Sequence, residues 1–160
     1  VSHMFVFYFG IMADLTPPVA LAAFAAAPIA QTSFFKIGFQ SMRLGTIIYI
    51  VPFVFVLNPA LVLKGSIPDI ALVTATAFVG VFVIASAMQG YMIGVGLMAN
   101  TPRGWLGRGI LLLGGLALVA PSGDALGLSL GRVGLDWIGL LLGIAGALVL
   151  RAGNRRPAVV

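Results

Sequence analysis

Asp14, Leu15, Thr16, Pro17 and Pro18 set a carboxylate, a hydroxyl and two imino residues in succession inside sequence that is apolar on both sides, residues 4–13 and 19–30. The prolines lack backbone N–H groups and restrict the residues before them, so one continuous helix through this stretch is not expected. Thr16 is a suitable N-cap and the prolines suit a first helical turn, which predicts one half-helix ending near Ala13 and a second starting near Pro17. Each half alone is too short for about 30 Å of hydrocarbon, while the two together are long enough, so the break falls near mid-depth of a bilayer. Backbone that is not helical is tolerated there only when buried in protein or lining a cavity. A carboxylate at that depth costs about 2.5 to 3.5 kcal/mol on insertion scales, so it calls for a partner, water or a cation. Carbonyl oxygens ending the first half carry partial negative charge and N–H groups opening the second carry partial positive charge, so one end suits a cation and the other an anion. Asp14 and Thr16 can add side-chain oxygens for Na⁺, or Asp14 can carry a coupled proton. The plainer alternative is a kink that only shapes helix packing, with Thr16 a simple cap.

Other chemistry is thinly represented. His3 is the single histidine, glutamate and cysteine are absent, and the four acids are Asp14, Asp69, Asp124 and Asp136. A His-Glu-x-x-His zinc site, thiolate metal sites and disulfides are thereby excluded within this sequence. No phosphate loop ending in Gly-Lys-Ser/Thr occurs. An intramembrane aspartyl enzyme would need a second acid facing Asp14, and the other three acids fall near expected interfaces. Cofactors are not expected, apart from Na⁺ or H⁺ as a coupling ion.

The elements that must hold the break are those of an all-α integral membrane protein. Hydrophobic residues make up 61% of the chain, charged residues 8%, and the mean hydropathy is +1.15. A soluble domain averages about 45–50% apolar and about 25% charged residues. Without a period-two pattern, a helical bundle is favoured over a barrel. About five spans are expected: the broken helix over 4–30, then 44–63 with Pro52, 70–90, 105–120 and 135–150. The last two are short and rich in Leu and Gly, and their glycines read as helix-packing positions. Between the first two spans, residues 33–43 carry Phe35, Phe39 and Met42 on one helical face and Lys36, Gln40 and Arg43 on the other, which predicts an interfacial amphipathic helix whose cations face anionic lipid. Gly94, Gly96, Asn100, Thr101 and Pro102 mark a boundary or surface segment, and Ser122, Gly123 and Asp124 a loop.

The formal charge of +5 reads as topology rather than as affinity for nucleic acid, because the basic residues sit between apolar spans. Lys36 and Arg43, then Arg103 and Arg108, then Arg151, Arg155 and Arg156 occupy alternate segments, and intervening loops hold Lys64 and Arg132. By the excess of Lys and Arg on the inner side, those richer segments and the C-terminus are cytoplasmic. The start, Val1-Ser2-His3 followed at once by an apolar segment, is not a signal peptide. It reads as the C-terminal piece of a longer protein.

The runs His3-Met4-Phe5-Val6-Phe7-Tyr8-Phe9 and Asp14-Leu15-Thr16-Pro17-Pro18-Val19-Ala20-Leu21-Ala22-Ala23-Phe24 resemble the C-terminal part of the large membrane subunit of TRAP transporters, and more narrowly the TAXI branch, in which small and large membrane subunits are often fused. Gly38-Phe39, Arg43-Leu44-Gly45, Val51-Pro52-Phe53 and Asn58-Pro59-Ala60-Leu61 are similar to that branch as well. The resemblance is specific over about 3–63 and loose beyond. It implies a secondary transporter of the bacterial inner membrane, usually Na⁺-coupled, that receives organic acids from a periplasmic substrate-binding protein and moves them by an elevator motion. On that resemblance residues 1–63 are the end of the transport domain, with Asp14, Leu15, Thr16 and Pro17 at the ion and substrate site, and residues 64–160 are a three-span extension. The remaining upstream part of the permease and membrane lipid are the implied partners. The alternative from another class is a non-transporting assembly or anchoring subunit.

Overall fold

A computed structural model of the chain describes residues 2–98, 100–120 and 132–154. The N-terminal half is a pair of interrupted rods. Helix α1 (Ser2–Met12) leads through an irregular segment, 13–20, into α2 (Leu21–Ile29). After a reversal, α3 (Phe34–Leu44) bends by 44° at Gly45 into α4 (Thr46–Leu57). The two rods run antiparallel. Phe53 of α4 meets the rings of Phe5 and Phe9 edge-on at 5.5 and 6.0 Å, and Phe24 of α2 meets Phe34 of α3 at 6.3 Å. The interruption in one rod therefore lies against the bend in the other.

Asn58 stops α4, and Pro59 opens a single 3-10 turn, Pro59–Val62. Helix α5 (Ile67–Gln89) starts on Ser66, whose hydroxyl accepts from the Asp69 N–H and donates to the Asp69 carboxylate. This satisfies one of the donors that a helix start leaves open. It ends on Gly90 in the left-handed region, φ 74°, where a side chain would be strained. A two-residue antiparallel hairpin follows, β1 (Tyr91–Met92) with β2 (Gly96–Leu97), in register Tyr91 to Leu97. Thr101 then caps α6 (Pro102–Val119) by accepting from Gly104 N–H at 3.2 Å, and α7 (Arg132–Asn154) closes the described chain.

Glycine lets α5, α6 and α7 approach to backbone contact, because lipid gives helices no hydrophobic reason to associate and close packing must supply it. On α6 and α7 the glycines stand seven residues apart and face each other in pairs, Gly107 with Gly146 and Gly114 with Gly139. A Cβ on Gly114 would lie 2.8 Å from Gly143 N and 3.0 Å from Gly139 O, and one on Gly139 would lie 2.9 Å from Gly114 O. The same happens between α5 and α6, where a Cβ on Gly80 would lie 2.9 Å from Gly115 O. The expectation that these glycines pack helices is met. Fully buried Ile84 and Leu111 fill the space between them, and Val83, Ala87, Met98 and Leu150 complete that core.

Most of the described residues are helical, and large apolar side chains such as Phe7, Phe24, Phe78 and Trp137 face outward. Two described helices are long and apolar enough to cross a membrane, Ile67–Gln89 and Gly134–Ala152, and the bent pair α3 and α4 makes a third if it is one crossing. Five crossings were expected; α6 corresponds to the fourth of them, with Arg103 and Arg108 in its first two turns. The hairpin at 91–97 stands where the sequence reads as a boundary or surface segment. The loop with Ser122, Gly123 and Asp124, and the tail residues Arg155 and Arg156, lie outside the described residues.

Replacing Gly114 by Ala should cost about 1–3 kcal/mol, because the added methyl meets backbone that cannot yield. Gly109→Ala is the control: nothing lies within 4 Å of its Cβ, and higher helix propensity should leave stability equal or up to about 1 kcal/mol greater. Denaturant unfolding of the two variants in detergent micelles decides; equal effects would contradict the close packing of α6 on α7.

Candidate functional site

The segment 13–20 tightens before it turns. Ala13, Asp14 and Leu15 donate to the carbonyls three residues back, of Gly10, Ile11 and Met12, at 3.3, 3.3 and 3.1 Å. This is the 3-10 pattern common at helix ends. Pro17 and Pro18 have no N–H to continue it, and the bond between them is cis. The chain is then folded back on itself: Ala20 N–H donates to both Ala13 O and Thr16 O at 3.0 Å, and Ala22 N–H to Asp14 O at 3.2 Å. Ala20 is completely buried and left-handed, φ 31° and ψ 56°. A non-glycine residue persists there only when its surroundings dictate it.

The surroundings are the bend of the second rod. Pro17 packs so closely on α3 that a Cβ on Gly38 would lie 2.6 Å from its ring, and a Cβ on Gly45 would meet Leu15 at 3.6 Å. Thr16 is tied on both sides. Its hydroxyl donates to Met12 O at 2.7 Å and lies 2.6 Å from the Tyr49 hydroxyl of α4. A threonine hydroxyl has one proton, which is committed to Met12, so Tyr49 is the donor of the second bond. One acceptor position on Thr16 is left. At the facing bend Thr46 does the same work, its hydroxyl set 2.9 and 3.2 Å from the Arg43 and Met42 carbonyls.

The expected interruption is therefore present, with two differences in detail. The second half-helix begins at Leu21 rather than near Pro17, because the prolines are used in the turn. Thr16 does not cap α2; its hydroxyl reaches back to the end of α1. The N-cap of α2 is Ala20, which offers no side-chain oxygen, so the first N–H groups of α2 are left to other partners. Of the four residues singled out, Leu15, Thr16 and Pro17 are half-buried and face α3 and α4, while Asp14 is exposed. Its carboxylate makes no hydrogen bond or ion pair among the described residues. Tyr49 and Gly38 were not singled out from sequence. A lone hydroxyl in Ile47-Ile48-Tyr49-Ile50-Val51 was the available signal, since a phenol among apolar residues needs a partner.

Among the described residues no three His, Cys, Asp or Glu side chains group as a metal site would need. Two concavities lie away from the break, one of about 530 Å³ at the turn between α2 and α3, the other of about 440 Å³ between α4 and α5. What the break itself can offer is a free carboxylate, one hydroxyl lone pair and those N–H groups at the start of α2 other than that of Ala22, which Asp14 O already holds; these suit a small cation and an anion side by side.

Apolar helices with outward-facing side chains and an interrupted rod define a multi-pass membrane protein. Residues 1–70 match the model of a family described as tripartite ATP-independent periplasmic transporter, DctM component. The matched part holds both interrupted rods and ends just inside α5. No curated protein and no solved structure matches the chain.

If the α3–α4 bend fixes the break, Gly38→Ala must displace Pro17. The expected result is a loss of about 1–3 kcal/mol and faster amide hydrogen exchange over 13–22, despite better helix propensity. Gly10→Ala, with nothing within 4 Å of its Cβ, should leave both readouts unchanged. Exchange at 13–22 indifferent to Gly38→Ala would show that the break does not depend on α3.

Proposed function

We propose that this chain is the C-terminal part of the large permease subunit of a TRAP transporter of the TAXI type, a secondary transporter and not an enzyme. The observation that carries the reading is the coincidence of the family match over residues 1–70 with the interrupted rods. In this reading Asp14, Leu15, Thr16 and Pro17 contribute to the ion and substrate site. Asp14 and the remaining acceptor of Thr16 supply oxygens to Na⁺, with H⁺ as the alternative coupling ion. The start of α2, uncapped by any side chain, offers N–H groups to the carboxylate of an organic acid.

The rest of the assignment follows the same reading. The broken pair α1 and α2, then α4, α5, α6 and α7 make five crossings, and α3 lies at the interface with Phe35 and Phe39 towards lipid. Both rings are exposed, as are Lys36, Gln40 and Arg43. Residues 1–63 end the transport domain and 64–160 form the extension. A periplasmic substrate-binding protein delivers the organic acid, and the upstream part of the permease completes the site. Leu150 packs against Gly107, so the end of α7 that carries Arg151 runs beside the first turns of α6, and Arg43 and Arg108 both reach the end of α5. This basic end is the cytoplasmic one in the inner membrane.

The test is uptake by the complete permease in proteoliposomes with its binding protein. Asp14→Asn and Thr16→Ala should each lower ion-dependent uptake at least about tenfold, the equivalent of about 1.4 kcal/mol, with normal membrane insertion. Unchanged uptake at normal insertion would favour an anchoring subunit, in which the break only shapes packing.

A further inference from the structure

Helix α5 ends against two arginines from different parts of the chain. Arg43, on α3, donates from Nε to Met88 O at 3.0 Å and from Nη2 to Gln89 O at 3.4 Å. Arg108, on α6, donates from Nε to Ala87 O at 2.8 Å and from Nη2 to Met88 O at 3.1 Å. One carbonyl oxygen thus serves both guanidinium groups, which brings two like charges together. A helix C-terminus carries roughly half a negative charge, so a single arginine already exceeds it. The described acids of the bundle do not help: Asp69 begins α5 and Asp136 begins α7, both at the opposite end. Nη1 of each arginine makes no hydrogen bond among the described residues. Arg108 also lies over the exposed Trp105 ring, 4.7 Å from its centre, a cation–π contact with an indole of the kind found at membrane surfaces.

The groove between α4 and α5 starts one turn beyond Arg43. It holds about 440 Å³, and Ile47, Val51 and Phe55 on one side face Ala77, Phe78 and Val81 on the other. A surplus of positive charge at the end of a membrane-length helix, continued by an apolar channel along that helix, has the two chemistries of an anionic phospholipid. We infer that Arg43 and Arg108 hold the phosphate of an anionic phospholipid whose acyl chain lies in the α4–α5 groove. The bound lipid would bridge α3 to the α5–α6 pair and offset the repulsion between the guanidiniums. This inference is independent of the transport reading.

The test is lipid retention by the purified chain in native mass spectrometry, comparing phosphatidylglycerol with phosphatidylcholine of the same acyl chains. Phosphatidylglycerol should be retained selectively. The double variant Arg43→Gln/Arg108→Gln should lose that retention by about tenfold or more, in line with about 1 kcal/mol for each basic residue at an anionic surface. Arg103→Gln, which removes an exposed neighbouring charge, should change it little, and millimolar inorganic phosphate should not displace the lipid. Equal retention of both lipids, undiminished retention by the double variant, or displacement by phosphate would overturn the proposal, the last by assigning the site to a soluble anion. Should the double variant not fold, quenching of Trp105 in a Trp137→Phe chain decides with both arginines intact. Phosphatidylglycerol brominated in its acyl chains should quench more than brominated phosphatidylcholine at the same mole fraction, and equal quenching would overturn the assignment.

Discussion

Backbone that leaves a helix must find other partners for its polar groups, and the eight residues 13–20 give up the partners a helix would have provided. The N-terminal half is arranged around that constraint. Part of the demand is met locally, through the 3-10 turns onto Gly10, Ile11 and Met12 and the return bonds from Ala20 and Ala22. The rest comes from a second rod interrupted at the same level, whose Gly38 admits Pro17 and whose Tyr49 supplies a proton to Thr16. With the turn held from one side by α3 and α4, the other side is left to Asp14. A carboxylate on a braced turn is better suited to coordination than one on a flexible loop, since the ordering cost is met on folding rather than on binding.

The C-terminal half solves a different problem by a different device. Its three helices have few polar groups to pair, and they associate by removing side chains where the backbones cross, at Gly80 and Gly115 and at the facing pairs of α6 and α7. The two halves meet mainly along α5. Arg43 links the bend of the second rod to the Met88 and Gln89 carbonyls at the end of α5, and Arg108 holds the Ala87 and Met88 carbonyls from α6. The position of the break therefore depends on the bundle through one helix end.

The interruption was legible in the sequence because a proline pair removes two donors wherever it stands, and the glycine-rich helices because little else packs in lipid. The start of α2 differs from the sequence expectation for a definite reason. Thr16 can bond forward as a cap or backward to a carbonyl, and only the position of Tyr49, 33 residues on, selects the second. Gly38 likewise shows its role only once Pro17 is seen against it. The hairpin at 91–97 rests on left-handed glycines, φ 90° at Gly94 and 86° at Gly96, which a run of glycines permits without specifying. Span count is the least legible feature, since α3 and α4 form one crossing or two elements depending on how a 44° bend meets the bilayer.

The claim that the second rod fixes the break is tested most directly by a double-mutant cycle between Thr16→Val and Tyr49→Phe, read by unfolding free energy in detergent. A hydrogen bond between these residues predicts a coupling of about 0.5–1.5 kcal/mol. Strict additivity of the two substitutions would mean that the hydroxyls do not support each other, and that the turn at 13–20 stands without α4.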